Sequence, residues 1–172
     1  MSAYSLPFSL DASISMRLAR PEEAEQLTAI AHAAKRHWKY PEAWIAAWKD
    51  DLTLTPRHLE ELTVIVAEEE SPSSLLGFLA LRTAENGRPP AIEHLWLLPK
   101  AHGRGLGRKL FEIAVASIGE DASELRVLSD PNTVGFYLRL GFEPCGEEIT
   151  AVCGERRVLP WLSLELPLPP AG

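Results

Sequence analysis

Cysteine is nearly absent from this chain of 172 residues, which has only Cys145 and Cys153. Two thiols match no metal spacing and cannot build a disulfide framework, so zinc-finger folds and disulfide-stapled secreted scaffolds are excluded. The expectation is reduced thiols, or a pairing across a hairpin, and no metal site. No apolar run approaches the length of a membrane span. The first residues show no basic segment leading into a continuous apolar stretch. A cytoplasmic protein that engages no membrane is therefore expected. There is no Gly-Lys-Ser/Thr loop and no Gly-x-Gly-x-x-Gly, which excludes a P-loop and a dinucleotide fingerprint. A net charge of −7 argues against a nucleic-acid partner, which would want a broad basic face. No internal repeat is present. The length is that of about one domain, and 46% hydrophobic with 24% charged residues is ordinary for a globular chain.

One stretch stands out against that background. Pro99-Lys-Ala-His-Gly-Arg-Gly-Leu-Gly107 lies between two apolar runs of different period. Before it, Ile92-Glu-His-Leu-Trp-Leu-Leu98 reads as a buried strand. After it, Leu106, Leu110, Ile113, Ala114, Ser117 and Ile118 recur at helical spacing. Glycines at alternate positions let the backbone turn sharply and come close to a ligand. The following helix start adds unpaired N–H donors and the positive end of its dipole. Lys100, Arg104, Arg108 and Lys109 fall here with no acidic residue from Pro99 to Phe111. A local cationic, amide-rich loop on an acidic protein points to a polyphosphate ligand. A tight strand-to-helix turn is the plainer alternative.

Along the chain, residues 14–18 alternate as a first strand. Pro21 with Glu22 and Glu23 opens a helix to about His37. A second helix is expected after Pro41 to near Asp51, and Thr55-Pro56 caps a third through Leu62. Residues 63–68 and 75–83 read as a hairpin joined by Ser71-Pro-Ser-Ser74. A strand at 124–128, a helix after Asp130-Pro131 ending at Gly141, and strands at 143–150 and 156–166 complete the reading. One domain over 14–166 is expected, with a flexible segment over 1–13 and a Pro-rich tail over 167–172. This order gives an α/β (α+β type) fold, a mixed sheet covered by helices.

Leu95-Trp-Leu-Leu-Pro-Lys-Ala-His-Gly-Arg-Gly-Leu-Gly107 resembles the acyl-CoA segment of the GNAT superfamily of N-acetyltransferases, whose loop reads Arg/Gln-x-x-Gly-x-Gly/Ala. His102 stands where that family has Arg or Gln. Downstream, Asn132-Thr-Val-Gly-Phe-Tyr-Leu-Arg-Leu-Gly-Phe142 resembles the family's Asn-x-x-Ala-x-x-Phe-Tyr-x-x-x-Gly-Phe segment, with one residue fewer before the Phe-Tyr pair. The resemblance implies a mostly antiparallel sheet with helices on both faces and splayed fourth and fifth strands. It also implies acetyl-CoA (coenzyme A) as cofactor. The strand residues Leu95, Trp96 and Leu97 would border the pantetheine arm. His102, Gly103, Arg104, Gly105, Leu106, Gly107 and Arg108 would hold its phosphates.

For the chemistry, Tyr137 is the expected proton donor to the coenzyme A sulfur; the alternative is a core aromatic beside Val134 and Leu138. A phenol with an ordinary pKa near 10 is protonated at neutral pH. Asn132 would contact the pantetheine arm or a nearby carbonyl, or serve only as a helix-start residue. Glu93 is the expected base, directly or through water; the plain reading is a salt-bridged strand residue. Alternation sends His94 to the opposite face unless a bulge intervenes. Ala34-Lys-Arg-His-Trp-Lys-Tyr40 is similar to a Lys-x-His-Trp-Gly-Tyr stretch in a bacterial branch of the superfamily, with Lys39 in place of the glycine. Trp38 and Tyr40 are expected to hold a cationic acceptor amine by cation–π contact, while Trp44 and Trp48 are expected in the core. The resulting expectation is acetyl transfer to a primary amine of a small molecule, or of a peptide or protein, by direct attack in a ternary complex. A homodimer is compatible with the resemblance. Transfer of a longer acyl group and a non-catalytic acyl-CoA sensor are the rival readings.

Overall fold

The computed structural model describes residues 13–70 and 73–167. The segment expected to be flexible over 1–13 and the tail expected over 167–172 lie almost wholly outside the described residues. The chain opens with β1 (Ile14–Leu18), a 3₁₀ turn at Pro21–Glu23, and three helices: α1 (Ala24–His37), α2 (Glu42–Ala47) and α3 (Pro56–Glu61). A hairpin of β2 (Thr63–Glu70) and β3 (Ser73–Arg82) follows, then β4 (Ala91–Leu97) and α4 (Leu106–Ala116). The chain continues through β5 (Glu124–Leu128), α5 (Val134–Arg139) and the hairpin β6 (Glu143–Val152) and β7 (Glu155–Glu165). The seven strands form one sheet in the order β1-β2-β3-β4-β5-β7-β6. Every pairing is antiparallel except β4 with β5.

Alternation along β3 feeds two cores. Leu79 and Leu81 turn to one face, where Leu106, Leu110 and Ala114 of α4 pack with Ile92, Leu125 and Val127. Phe78 and Ala80 turn to the other, against Leu27, Ile30 and Ala31 of α1. Each Leu fully removed from water in these layers contributes about 1.5–3 kcal/mol. Arg17 fastens the entrance of α1 to the sheet, reaching Glu23 at 2.6 Å and Glu68 at 2.7 Å. Thr55 caps α3 by accepting from the His58 amide, and His58 Nδ1 accepts from the Thr55 amide in return. Helix α2 stops at Ala47, before the expected Asp51, because the chain turns there to bury Leu52 and Leu54, each 3% exposed.

Two irregularities shape the sheet centre. The β3–β4 register steps from Ala80↔His94 to Leu81↔Ile92, leaving Glu93 as the extra residue of a bulge. His94 therefore lies over Phe78 on the α1 face, 6.1 Å between ring centroids. Glu93 is exposed and pairs with Arg82 at 2.9 Å. Strand β4 then keeps only two register pairs with β5, Ala91↔Arg126 and Ile92↔Val127. Beyond them the strands part. On its other side β4 presses against Gly77, where a Cβ would come within 2.5 Å of the Trp96 carbonyl oxygen. Glycine permits that approach, and β4 leans away from β5.

The β6–β7 turn is Cys153-Gly154, both at positive φ (49° and 82°), the conformation of a two-residue hairpin with primed geometry. Cys145 sits at the bulge near the other end of β6. The seven residues between them hold the two Cα atoms on the order of 25 Å apart along extended chain, whereas a disulfide needs Cα atoms within about 7 Å. The pairing considered from sequence is not made; both thiols are free and exposed. Among the described residues, no helix is long and apolar enough to cross a membrane.

Candidate active site

Where β4 and β5 part, a cleft of about 460 Å³ opens. Its walls come from Leu95, Trp96 and Leu97 of β4, from the loop before α4, and from Asn132, Phe136 and Tyr137 on and before α5. Ala34 and Trp38, from the end of α1 and just beyond, close the remaining side.

The loop is built by backbone. Gly103 and Gly105 take φ of +74° and +75°, and at neither would a Cβ meet any atom within 4 Å. Conformation, not space, demands glycine there, since an L-residue in that region costs roughly 1–2 kcal/mol. Gly105 is also the cap residue from which α4 starts, with no side chain capping its first turn. The first-turn amides are left for a ligand. Gly107 answers a different need: a Cβ there would press on the Phe136 ring at 3.2 Å. The cations divide. Arg104 turns toward Glu69 (3.5 Å) and Lys109 toward Glu112 (3.0 Å), while Arg108 lines the cleft and Arg139 joins it from α5. His102 brings Nε2 within 3.3 Å of the Leu97 carbonyl oxygen and stands edge-on to His37. It ties the loop back to the end of β4.

Tyr137 is 5% exposed, held edge-on between Phe136 and Phe142 at 5.2 and 5.4 Å. The Phe142 amide donates to the Tyr137 carbonyl, and Gly141, at φ +96°, makes the sharp exit from α5. Among the described residues its hydroxyl has no hydrogen-bond partner, and it is not sealed from the cleft. Burial pushes the phenol's pKa well up, so it keeps its proton.

Behind Asn132 lies a polar cluster drawn from three distant segments. Lys35 meets Asp130 at 2.6 Å, and Arg157 approaches the same carboxylate at 3.6 Å. Tyr40 donates to Asp130 at 2.9 Å and accepts from Asn132 Nδ2 (2.8 Å) and from Arg157 Nη2 (3.1 Å). The Asn132 amide N–H also caps Asp130 at 2.9 Å. Burial alone would raise the Asp130 pKa, but the charge and hydrogen bond of Lys35 hold it below the usual carboxylate range. Burial draws Lys35 downward against the pull of Asp130. At neutral pH the carboxylate is ionised and the lysine protonated.

The structure thus brings together at the cleft Leu95, Trp96, Leu97, His102, Gly103 and Gly105, with Leu106, Gly107, Arg108, Asn132, Tyr137 and Trp38. Arg104 is outside the lining, turned toward Glu69. Tyr40 lies behind Asn132, its ring already faced by Lys35 at 4.8 Å and Arg157 at 5.2 Å, where a bound cation was expected. Trp44 and Trp48 both pack on Tyr40, Trp48 also lies against the α1-side core as expected while Trp44 does not, and Arg157 faces both. Glu93 and His94 are outside the cleft lining. The His94 pKa is lowered by burial, and Nδ1 accepts from the Trp96 indole at 3.2 Å, the pattern of a neutral ring protonated on Nε2. Sequence reasoning missed Lys35, Asp130, Arg157 and Arg139. Lys35 carried a signal: it interrupts the apolar stripe of Leu27, Ala31 and Ala34 on α1.

Known proteins share this fold. A GCN5-related N-acetyltransferase from Rhodopseudomonas palustris superposes with a TM-score of 0.70 at 22% identity, over 90% of this chain and 96% of its own. The PaiA N-acetyltransferase of Thermoplasma acidophilum, solved with coenzyme A, gives 0.68 at 22% identity, over 89% and 99%. The yncA protein of Salmonella typhimurium, solved with its cofactor acetyl-CoA, gives 0.62 at 20% identity, over 92% and 97%. At such identities the likeness shows the fold. Residues 22–152 match the family model described as acetyltransferase (GNAT) domain, well over half the chain. The glycine loop, the parted strands and that match converge: the chain belongs to the GNAT family of N-acetyltransferases.

Proposed function

We propose that this enzyme transfers the acetyl group of acetyl-CoA to the primary amine of a small molecule, by direct attack within a ternary complex. The observation that carries the proposal is one cleft bounded by both an amide-rich loop at an open helix start and an unpartnered, protonated phenol. The loop amides and Arg108 would hold the pyrophosphate, and the free edge of β4 the pantetheine arm. Asn132 would bind that arm as well. The presence of coenzyme A or acetyl-CoA in the T. acidophilum and S. typhimurium structures supports the choice of donor.

In this reading the neutral amine attacks the thioester carbonyl, the C–N bond forms and the C–S bond breaks. The departing sulfur takes the Tyr137 proton, which prevents an unstable thiolate from leaving. Proximity in the cleft supplies the orientation that the bimolecular reaction lacks in water. The amine's proton leaves through water, with Glu93 its proposed acceptor beyond the cleft wall. Cys145 and Cys153 are exposed and absent from the lining, which favours direct attack over an acyl-enzyme. Incubating the protein with acetyl-CoA and a panel of amines, with free thiol as the readout, tests the proposal. Amine-dependent thiol release is expected. Tight acetyl-CoA binding with no release for any amine would overturn it.

A further inference from the structure

We infer that the acceptor carries a carboxylate besides its amine, and that Arg157, backed by Lys35, is the group that reads it; this rests on the acetyl-transfer reading above. The cluster behind Asn132 holds two cations and one carboxylate, with side chains only 9%, 11% and 10% exposed for Lys35, Asp130 and Arg157. Its carboxylate is already saturated. Asp130 accepts from Lys35, from Tyr40 and from both nitrogens of Asn132. Arg157 is not. It spends Nη2 on Tyr40 and lies at the longer 3.6 Å from Asp130, while Nε and Nη1 donate to nothing among the described residues. Those nitrogens are not sealed off either, since among the described residues the one buried side-chain polar atom without a partner is the Ser74 hydroxyl. Asp51, the next carboxylate acting on Lys35, is exposed and counts little.

A nearly buried guanidinium with donors to spare, in a cluster one positive charge in excess, favours an anion. Arg157 is two hydrogen bonds from the cleft wall, through Tyr40 to Asn132. The aromatic faces nearby are unavailable to a cationic tail. Lys35 lies 4.3 Å from the Trp48 ring centroid and Arg157 4.8 Å from the same ring. A planar carboxylate matches the fork of Arg better than it matches Lys.

The test uses amino acids of increasing amine-to-carboxylate spacing, each matched with its carboxamide, and reads kcat/KM by thiol release. At the preferred spacing the carboxylate should win by roughly 10- to 100-fold. Arg157→Met should bring that ratio near one while acetyl-CoA affinity is unmoved, and Arg157→Lys should keep part of it. Arg157→Gln carries the same reading where the Met variant does not fold. Carboxamides that match their acids, or a preference that survives Arg157→Met, would overturn the inference and leave acetyl transfer standing. A second arm titrates propionate and propionamide against tryptophan fluorescence, because Trp44 and Trp48 flank Arg157. If no amine is acetylated, Arg157-dependent quenching by propionate alone still supports the inference, and its absence overturns it.

Discussion

The two ends of the cleft are made of different material. At the glycine-loop end, geometry is held by main chain: left-handed Gly103 and Gly105 and the open first turn of α4. At the other end, behind the Asn132 wall, it is held by side chains, with Lys35, Tyr40, Asp130, Asn132 and Arg157 locked by hydrogen bonds. A main-chain site tolerates loss of a surface cation but not of its torsion angles. A side-chain site behaves the opposite way, because its members satisfy one another. The contrast teaches where each end is vulnerable.

Tyr137 belongs to neither end, so changing it should damage chemistry and spare both. Tyr137→Phe should lower kcat by roughly 10²–10⁴-fold with acetyl-CoA affinity and melting temperature little changed. An unchanged rate, with chemistry limiting, would return the residue to the core. The acid works only while protonated, and burial raises its pKa. The wild-type rate should therefore show no decline up to about pH 10, where an ordinary phenol titrates.

Asp130→Ala breaks the side-chain end. It leaves Lys35 and Arg157 buried without their carboxylate, a loss of about 3–5 kcal/mol readable by urea denaturation. The pH dependence follows the same group. Its folded pKa is depressed, so its contribution is full above the ordinary aspartate value near 3.9 and is lost as pH falls through the folded value. A stability loss below about 1 kcal/mol would mean the cluster is no more than a surface pair.

At the main-chain end the order of effects should invert. Gly105→Val puts a β-branched residue at φ +75°, a strain of about 1–3 kcal/mol, and should weaken acetyl-CoA more than tenfold. Arg104→Ala removes only a cation facing Glu69 and should cost a few-fold at most. Equal effects would erase the distinction between the two ends. Smallest of all, Glu93→Gln should depress the rate a few-fold below neutral pH and leave acetyl-CoA binding intact. A silent variant would mean that the amine's proton goes directly to bulk water.

The same division decides what could be read in advance. The loop was legible because glycine spacing is a local record of local torsion angles. The succession of strands and helices along the chain followed from local periodicity, down to the helix exit at Gly141. The bulge at Glu93 was not legible, since it exists only relative to the register of β3. The cluster was hidden for the same reason: Asp130 merely precedes a helix and Arg157 merely falls within a strand when the sequence is read locally. Lys39 shows the limit from another side. It occupies φ +57° where the resembling stretch has glycine, so a backbone requirement persists although the residue that signals it is gone.

The reach of the Arg157 cluster also bears on how the molecule assembles. Lys35 and Asp130 are 95 positions apart in the chain, and Tyr40 and Arg157 are 117. Contacts so distant cannot nucleate folding, because the loops they close are among the longest available. The β2–β3 hairpin and its helices can form without them; the cluster needs β7 already docked on β5. Substitutions there should leave the refolding rate nearly unchanged and accelerate unfolding, whereas changes in the β2–β3 core should slow refolding. The Arg157 cluster is thus expected to form late in folding and to open early in unfolding.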